Sequence, residues 1–416
     1  MIKSVEPVKI LNDIIEACVL VVLFCLPFSK SIVEIFVVFS IILFLTKKFL
    51  FDKNFKLRIN KKTLAFLILF VTFNIISLAN SQYPDKSVPA LFSKTIKWAA
   101  FFIVVAETIR TEKQARRVFS TMLFSCGIIL ADAMYQQYIT GRDFLHYPKG
   151  YPVFKFEGRA TGDPTFPTAS FPYPNDFATW INVYLFTFLS ASIFGLKGER
   201  SRRIIAAFFC IMLAFFLFLT TTGGAMLGAF AALAVLFFVN MKRLLVPTII
   251  LLIIAFACVF FIPYLNAYLK EGILDKAVSI NDRKGMWTAG WKIFLQHPVI
   301  GNGVNTFFEH FKYFREDIDK YAHGSYAHNC ILQMAADVGI LGALAFLVFY
   351  LSVIIGGIKN ALRNLGHFKK SFALGLSLGL VAFIVHSVFD TNLYSLNLAA
   401  LFWLCLGVVE GIGRDK

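Results

Sequence analysis

The stretch DVGILGALAFLVFYLSVIIGG, residues 337–357, holds one charged side chain, the Asp337 that opens it. About 20 apolar residues in a helix cross the hydrocarbon layer of a bilayer, so this stretch reads as a membrane span. Its C-terminal flank is KNALRNLGHFKK (359–370), strongly basic, and its N-terminal flank is a long polar segment ending in YAHNCILQMAA. The same alternation of apolar block and basic or polar connector repeats outward through all 416 residues, which are 58% hydrophobic. Hydropathy places spans at 12–28, 31–46, 63–80, 90–106, 117–136, 176–195, 203–221, 224–240, 244–263, 337–357, 371–389 and 393–412. The expected fold is therefore an all-α polytopic membrane protein of about 12 transmembrane helices, forming a single domain over 1–416.

Charge gives the orientation. The connectors TKKFLFDKNFKLRINKK, RTEKQARR, KGERSRR, MKR and KNALRNLGHFKK, with the two tails, fall on one side and hold 25 of the 41 Lys and Arg. The positive-inside rule makes that side cytoplasmic. The net charge of +16 thus belongs to membrane topology, and nucleic acid is excluded as a partner. The first apolar block lacks a small-residue cleavage site and runs at once into a second span, so it is expected to stay attached rather than act as a signal peptide. Cys18, Cys25, Cys126, Cys210, Cys258, Cys330 and Cys405 lie in or beside apolar segments without CxxC or CxH spacing. Neither a disulfide framework nor a zinc site is expected.

Two long loops face outward, 138–175 and 263–334, and the chemistry is expected there. They read as caps over the bundle: the first is rich in Pro, Gly and aromatic residues, and GMWTAGWKIFLQ in the second has helical apolar spacing. Within NDRKGMWTAGWKIFLQHPVIGNGVNTFFEHF, Arg283 precedes the amphipathic segment and HPVIGNGVNTF is a Pro/Gly turn that permits close backbone approach. His328 and Asn329 stand just before the tenth span. A neutral imidazole can take a proton from a hydroxyl near neutral pH, and a guanidinium can hold phosphate oxygens. Together they suggest group transfer from a phosphate-activated lipid. No matched pair of interrupted spans is visible, which argues against a transporter or flippase.

An Arg, then Trp, then P-h-h-G-x-G-x-x-x-F, then His-Asn, then G-h-h-G resembles the core signature of the O-antigen ligase and polymerase superfamily. Here the pieces are Arg283, Trp287, Pro298 to Phe307, His328 with Asn329, and Gly339 to Gly342. The resemblance implies a GT-C-like glycosyltransferase with its two long loops in the periplasm of a bacterial inner membrane, taking a glycan from undecaprenyl pyrophosphate. It implies general-base or acceptor-orienting work for His328, and donor pyrophosphate binding for Arg283. The leading reading is an O-antigen ligase acting in lipopolysaccharide biosynthesis with the lipid A core as acceptor. An O-antigen polymerase or a protein O-glycosyltransferase are the alternatives within the superfamily. Arginines can supply the charge stabilisation of a cation and no Asp/Glu cluster suits Mg2+, so no metal or other cofactor is expected.

The family's T-x-S/T-R-x-A motif is broken: in LTTTGGAMLG, Gly223 stands where the arginine would be. Arg159, in EGRATGDPTFPTASFPYPNDFATW of the first loop, is the candidate replacement, to bracket a pyrophosphate with Arg283 if the loops share a cavity; a surface pair with Glu157 or Asp163 is the other reading. Asp390, in HSVFDTNLYS, follows His386 by one turn at the outer end of span eleven, where it could orient His328 or serve as a cap or Asx turn. His323 is a further possible substrate contact or a plain loop residue, and His328 itself could be a helix-end residue bonded to a carbonyl. Lys94 and Lys97, in LFSKTIKWAA, lie near the outer end of span four on nearly one face, either to meet lipid phosphate or to snorkel to headgroups.

Overall fold

The computed structural model describes residues 5–52, 56–145, 166–196, 198–239, 283–314, 326–363 and 368–413. The expected ninth span, the middle of each outward loop, and with them Arg159 and His323, lie outside the described residues.

No β-strand occurs among the described residues, and eleven of the twelve expected spans fall on helices. These are α1 (Val5–Cys25), α2 (Lys30–Thr46), α3 (Lys61–Ser77), α4 (Pro84–Ala90) continued through a π-helical turn Leu91–Ile96 into α5 (Lys97–Thr108), α6 (Glu112–Tyr135), α7 (Pro174–Ser190), α8 (Arg200–Leu219) and α9 (Gly223–Val239). The cap contributes α10 (283–296) and α11 (Phe307–Phe314), and the chain closes with α12 (Cys330–Leu362), α13 (Phe368–Ser387) and α14 (Leu396–Ile412). Local sequence sets the starts. Ser29 and Asn60 cap α2 and α3 through their side chains, Thr111 and Gln114 form a capping box on α6, and Pro84 and Pro174 occupy first turns, where a missing N–H leaves nothing unsatisfied. Seven of the described helices are long and apolar enough to cross a membrane, with α9 and α14 shorter and equally apolar. Ile204, Phe208 and Ile211 on α8 and Phe230 and Phe238 on α9 point outward, as lipid-facing residues do. The chain is a multi-pass membrane protein.

Helix α13 is the axis of the bundle, packed between α7 and α9. Gly375 and Gly379 permit it: a Cβ on either would stand 2.7 Å from a Cα of Thr187 or Val183 on α7. Small residues four apart let backbones approach where lipid offers no hydrophobic drive. Gly407 and Gly411 do the same for α14 against Val105 of α5 and Ile109 just past its end.

Two expectations need correcting. Span four was placed from 90, with Lys94 and Lys97 near its outer end; the helix begins at Pro84 instead. Lys94 therefore lies about three turns along the helix from Pro84. Span ten was taken as continuous from 337. Helix α12 starts at Cys330, so 330–334 leave the loop, and it breaks at Gly339, whose φ of 72° and ψ of 175° are non-helical.

The Pro/Gly turn of the cap plugs that break. Asn302 N donates to Ala336 O at 3.1 Å and Gly303 N to Asp337 O at 2.8 Å, while Ile340 N donates to Pro298 O at 2.9 Å. The backbone groups freed by the break are thus satisfied by the turn, as a membrane protein requires. Only glycine fits: a Cβ on Gly339 would meet Val299 O at 2.2 Å, and one on Gly301 would meet Asp337 O at 2.3 Å. Asp337 completes the joint by accepting from Phe307 N at 2.9 Å, at the start of α11.

Candidate functional site

His328 sits where this joint meets the bundle. Its φ of 47° is left-handed, a region few L-residues enter, Asn, Asp and His more often than the rest. Asn329 follows as the cap of α12, its Oδ1 accepting from Ile331 N and Leu332 N. Trp287, on α10, donates its indole N–H to the His328 carbonyl at 3.2 Å. The ring is therefore aimed by backbone fixed on both sides.

Asp390 meets it. Helix α13 ends at Ser387 in a tight turn, with Phe389 N bonded to His386 O at 2.8 Å, and this returns Asp390 to the His328 ring. Oδ1 lies 3.3 Å from His328 Nδ1, with side-chain exposures of 7% and 31%. Nδ1 has no other hydrogen-bond partner among the described residues, so the Asp390 contact is the one that bears on it. It favours a proton on Nδ1, leaving Nε2 as the basic nitrogen. Burial pushes the Asp390 carboxyl up. The neighbouring imidazoles of His328 and His386 and the Thr391 amide outweigh that and hold it well below the usual carboxylate range.

The second carboxylate oxygen has its own holders. Asn175, in the first turn of α7, donates Nδ2 to Asp390 Oδ2, and its Oδ1 accepts from Thr222 Oγ1 at 3.1 Å. His386 is buried, with Nε2 3.8 Å from Asp390 Oδ2 and Nδ1 2.8 Å from Thr179 Oγ1. Arg283 opens α10 one turn before Trp287 and is close enough to act electrostatically on His386. It makes no ion pair among the described residues. Gly224 lies against His386, where a Cβ would stand 2.7 Å from Cδ2, whereas Gly223 faces open space.

Of the residues singled out in the sequence, His328, Arg283, Asn329 and Asp390 come together. Lys94 and Lys97 do not: Lys97 pairs with Glu34 at 2.6 Å, and Lys94 donates to Asn305 Oδ1 at 2.5 Å, in a groove beside the cluster. The oxygen of Asn329 serves the helix cap, so only its amide nitrogen remains for a ligand. Sequence reasoning passed over Asn175, Thr222 and Thr179. Their only signals were Pro-Asn at a helix start and a threonine run before two glycines, neither of which shows what it faces. Among the described residues no group of His, Cys, Asp and Glu is arranged to hold a metal ion.

A family model described as O-antigen ligase matches residues 207–347, which include Arg283, Trp287, His328 and the Gly339 break. The teichuronic acid biosynthesis protein TuaE of Bacillus subtilis (strain 168) is 25% identical over 269 residues, covering 60% of this chain and 53% of that protein. The chain spans about half the length of this curated relative.

Proposed function

We propose, from its place in the O-antigen ligase and polymerase superfamily, that this membrane protein is a glycosyltransferase that moves a glycan from undecaprenyl pyrophosphate to an acceptor hydroxyl, the lipid A core in lipopolysaccharide biosynthesis. The observation that carries the proposal is the His328–Asp390 contact at 3.3 Å beside an Arg283 with no carboxylate partner among the described residues. Nε2 of His328 takes the acceptor's proton as the hydroxyl oxygen attacks the anomeric carbon. The bond from that carbon to the pyrophosphate oxygen breaks, and the electron pair leaves on the polyprenyl pyrophosphate. Arg283 holds the charge that develops there, as fixed cations do in a partly dry site, and attack opposite the leaving group inverts configuration. Asp390 steadies the imidazolium in the manner of a carboxylate behind a catalytic histidine. No metal takes part, and Arg159 and His323 are further substrate contacts in this reading. The basic connectors favour an inner-membrane protein with both tails in the cytoplasm and this cluster at the periplasmic face.

A second reading is an O-antigen polymerase: the relative is named for teichuronic acid biosynthesis and not for lipopolysaccharide. Protein O-glycosylation is the third acceptor choice. Reconstitution with a lipid-linked glycan and a choice of lipid A core or a second lipid-linked glycan decides among them. Product on the core supports the ligase, a lengthened lipid-linked glycan supports the polymerase, and translocation without transfer overturns the enzyme. In the same assay Arg283→Ala should lower use of the donor by roughly 10- to 100-fold, the worth of one hydrogen bond to a charged group. Wild-type transfer by Arg283→Ala removes its donor role.

A further inference from the structure

Helix α10 has two faces. Met286, Ala289 and Ile293 are buried together with Phe307 and Phe311 of α11 and Ala336 of α12. Lys284, Thr288, Trp291 and Leu295 are exposed and recur every three or four residues, which sets them on one side of the helix. Val299, in the turn that follows, extends this line, and Trp291, Leu295 and Val299 are each more than half exposed. The stripe is graded: a lysine and a threonine lead, an indole follows, and two aliphatic side chains end it.

Scattered apolar residues on a surface carry no message, but this stripe runs into one that does. Ile340 N donates to Pro298 O at 2.9 Å and Leu341 N to Val299 O at 3.4 Å. Val299 therefore stands beside the start of a second line, Ile340, Leu344, Val348, Leu351 and Ile355, which is exposed along α12. Helix α12 is long and apolar enough to cross a bilayer, and an exposed apolar line on a membrane span faces acyl chains. One path of apolar surface thus leads up α12, across the turn and onto α10, where it stops at an indole. Tryptophan favours the boundary of hydrocarbon and water, with its ring in the one and its N–H toward the other. Beyond it, Thr288 and Lys284 suit the headgroup and water layer.

We propose that the C-terminal half of α10 and the turn after it dip into the leaflet on the His328 side, so that the lipid surface is the partner of the Trp291, Leu295 and Val299 stripe. The helix lies at a slant, its start among headgroups and water and its end among acyl chains, with its apolar side in the membrane as in an interfacial helix. A lipid contact asks for apolar character and not for particular side chains, so the residues of the stripe can change while the contact persists. The same helix carries Arg283 and Trp287, and Trp287 holds the His328 carbonyl. The membrane therefore bears on the height of both. Arg283 stands about 12 Å of helix axis before Trp291, on the headgroup side. Under the transferase reading, that is the level at which a membrane-embedded donor presents its phosphates.

The test is tryptophan fluorescence of the full-length protein in nanodiscs of phosphatidylcholine brominated on its acyl chains, with iodide as the quencher in water. Trp98, Trp180 and Trp403 are buried, and the difference between wild type and Trp291→Phe isolates the emission of Trp291. That emission should be largely lost in brominated lipid and should resist iodide. Lys284→Trp, placed in the Trp291→Phe background, should behave in reverse, quenched by iodide and spared by bromine. Leu295→Asp sets a charge in the apolar stripe without touching the buried face, and it should open Trp291 to iodide. Iodide quenching of Trp291 as strong as that in Lys284→Trp overturns the proposal by leaving the stripe in water. Resistance of Trp291 to both quenchers overturns it by placing protein over the stripe, a second copy of this chain included. No substrate enters the measurement, so the lipid contact stands or falls apart from the transferase reading.

Discussion

Replacing His328 by glycine and by alanine should separate its ring from its backbone. At a φ of 47° an L-residue carries about 1–2 kcal/mol of left-handed strain. Alanine keeps that strain, whereas glycine removes it and gives back roughly 0.5–1 kcal/mol through the greater freedom of its unfolded chain. The glycine variant should therefore be as stable as the alanine variant or up to about 1.5 kcal/mol more so. The side chain is 31% exposed, and both changes give up nearly the same burial, which cancels in the comparison. Catalysis should behave differently. A general base contributes about 10² to 10⁴ in rate, or roughly 2.7–5.4 kcal/mol of barrier, and both variants should lose that much while retaining donor binding. The assay is transfer of a lipid-linked glycan by purified variants over pH 5 to 9, alongside thermal unfolding in detergent. Full transfer by His328→Gly would refute the catalytic assignment, and recovery of activity in step with recovered stability would reduce the residue to a backbone role.

Asp390→Asn should slow transfer by roughly 10- to 100-fold and leave the protein less stable at pH 7. A carboxyl whose folded pKa is depressed stabilises the fold above its unfolded value of about 3.9 and loses that contribution as pH falls through the folded value. Asp390 thus stays charged from pH 5 to 9, and an acid limb in that window that vanishes in Asp390→Asn but survives in His328→Ala would contradict the arrangement. Gly224→Ala, with its Cβ 2.7 Å from His386 and 3.1 Å from Phe389, should destabilise by about 1–3 kcal/mol and impair transfer, while Gly223→Ala should be neutral or slightly stabilising; equal melting temperatures for the two would show that the pocket yields. For topology, an impermeant thiol reagent added to intact cells should label a cysteine at Lys312 and not one at Lys56, and the reverse pattern would invert the protein in the membrane.

The bundle was legible because bilayer thickness sets one length for every span and caps mark some of the starts: Ser29, Asn60 and Thr111 stand where helices begin. The error at span four arose because SQYPDKSVPA is polar enough to read as a connector, although proline in a first turn is a helix start. The break at Gly339 was hidden because a lone glycine in an apolar run looks like packing, and only its partner turn, some forty positions upstream, gives it meaning. For the cluster, residues with reactive side chains were visible and those that hold them were not. Asn175 and Thr222 act through the far oxygen of Asp390, a relation between three helices that no local spacing encodes.

The joint at Gly339 also divides what selection can alter from what it must leave alone. Residues 298–303 and the first turns of α12 are stitched through peptide groups, and peptide groups are indifferent to the side chains they carry. The exposed face of the cap, with Trp291, Leu295 and Tyr313 on its surface, is therefore free to diverge while the imidazole keeps its bearing on the bundle. What may vary and what must stay are written in separate alphabets, one in side chains and the other in two glycines.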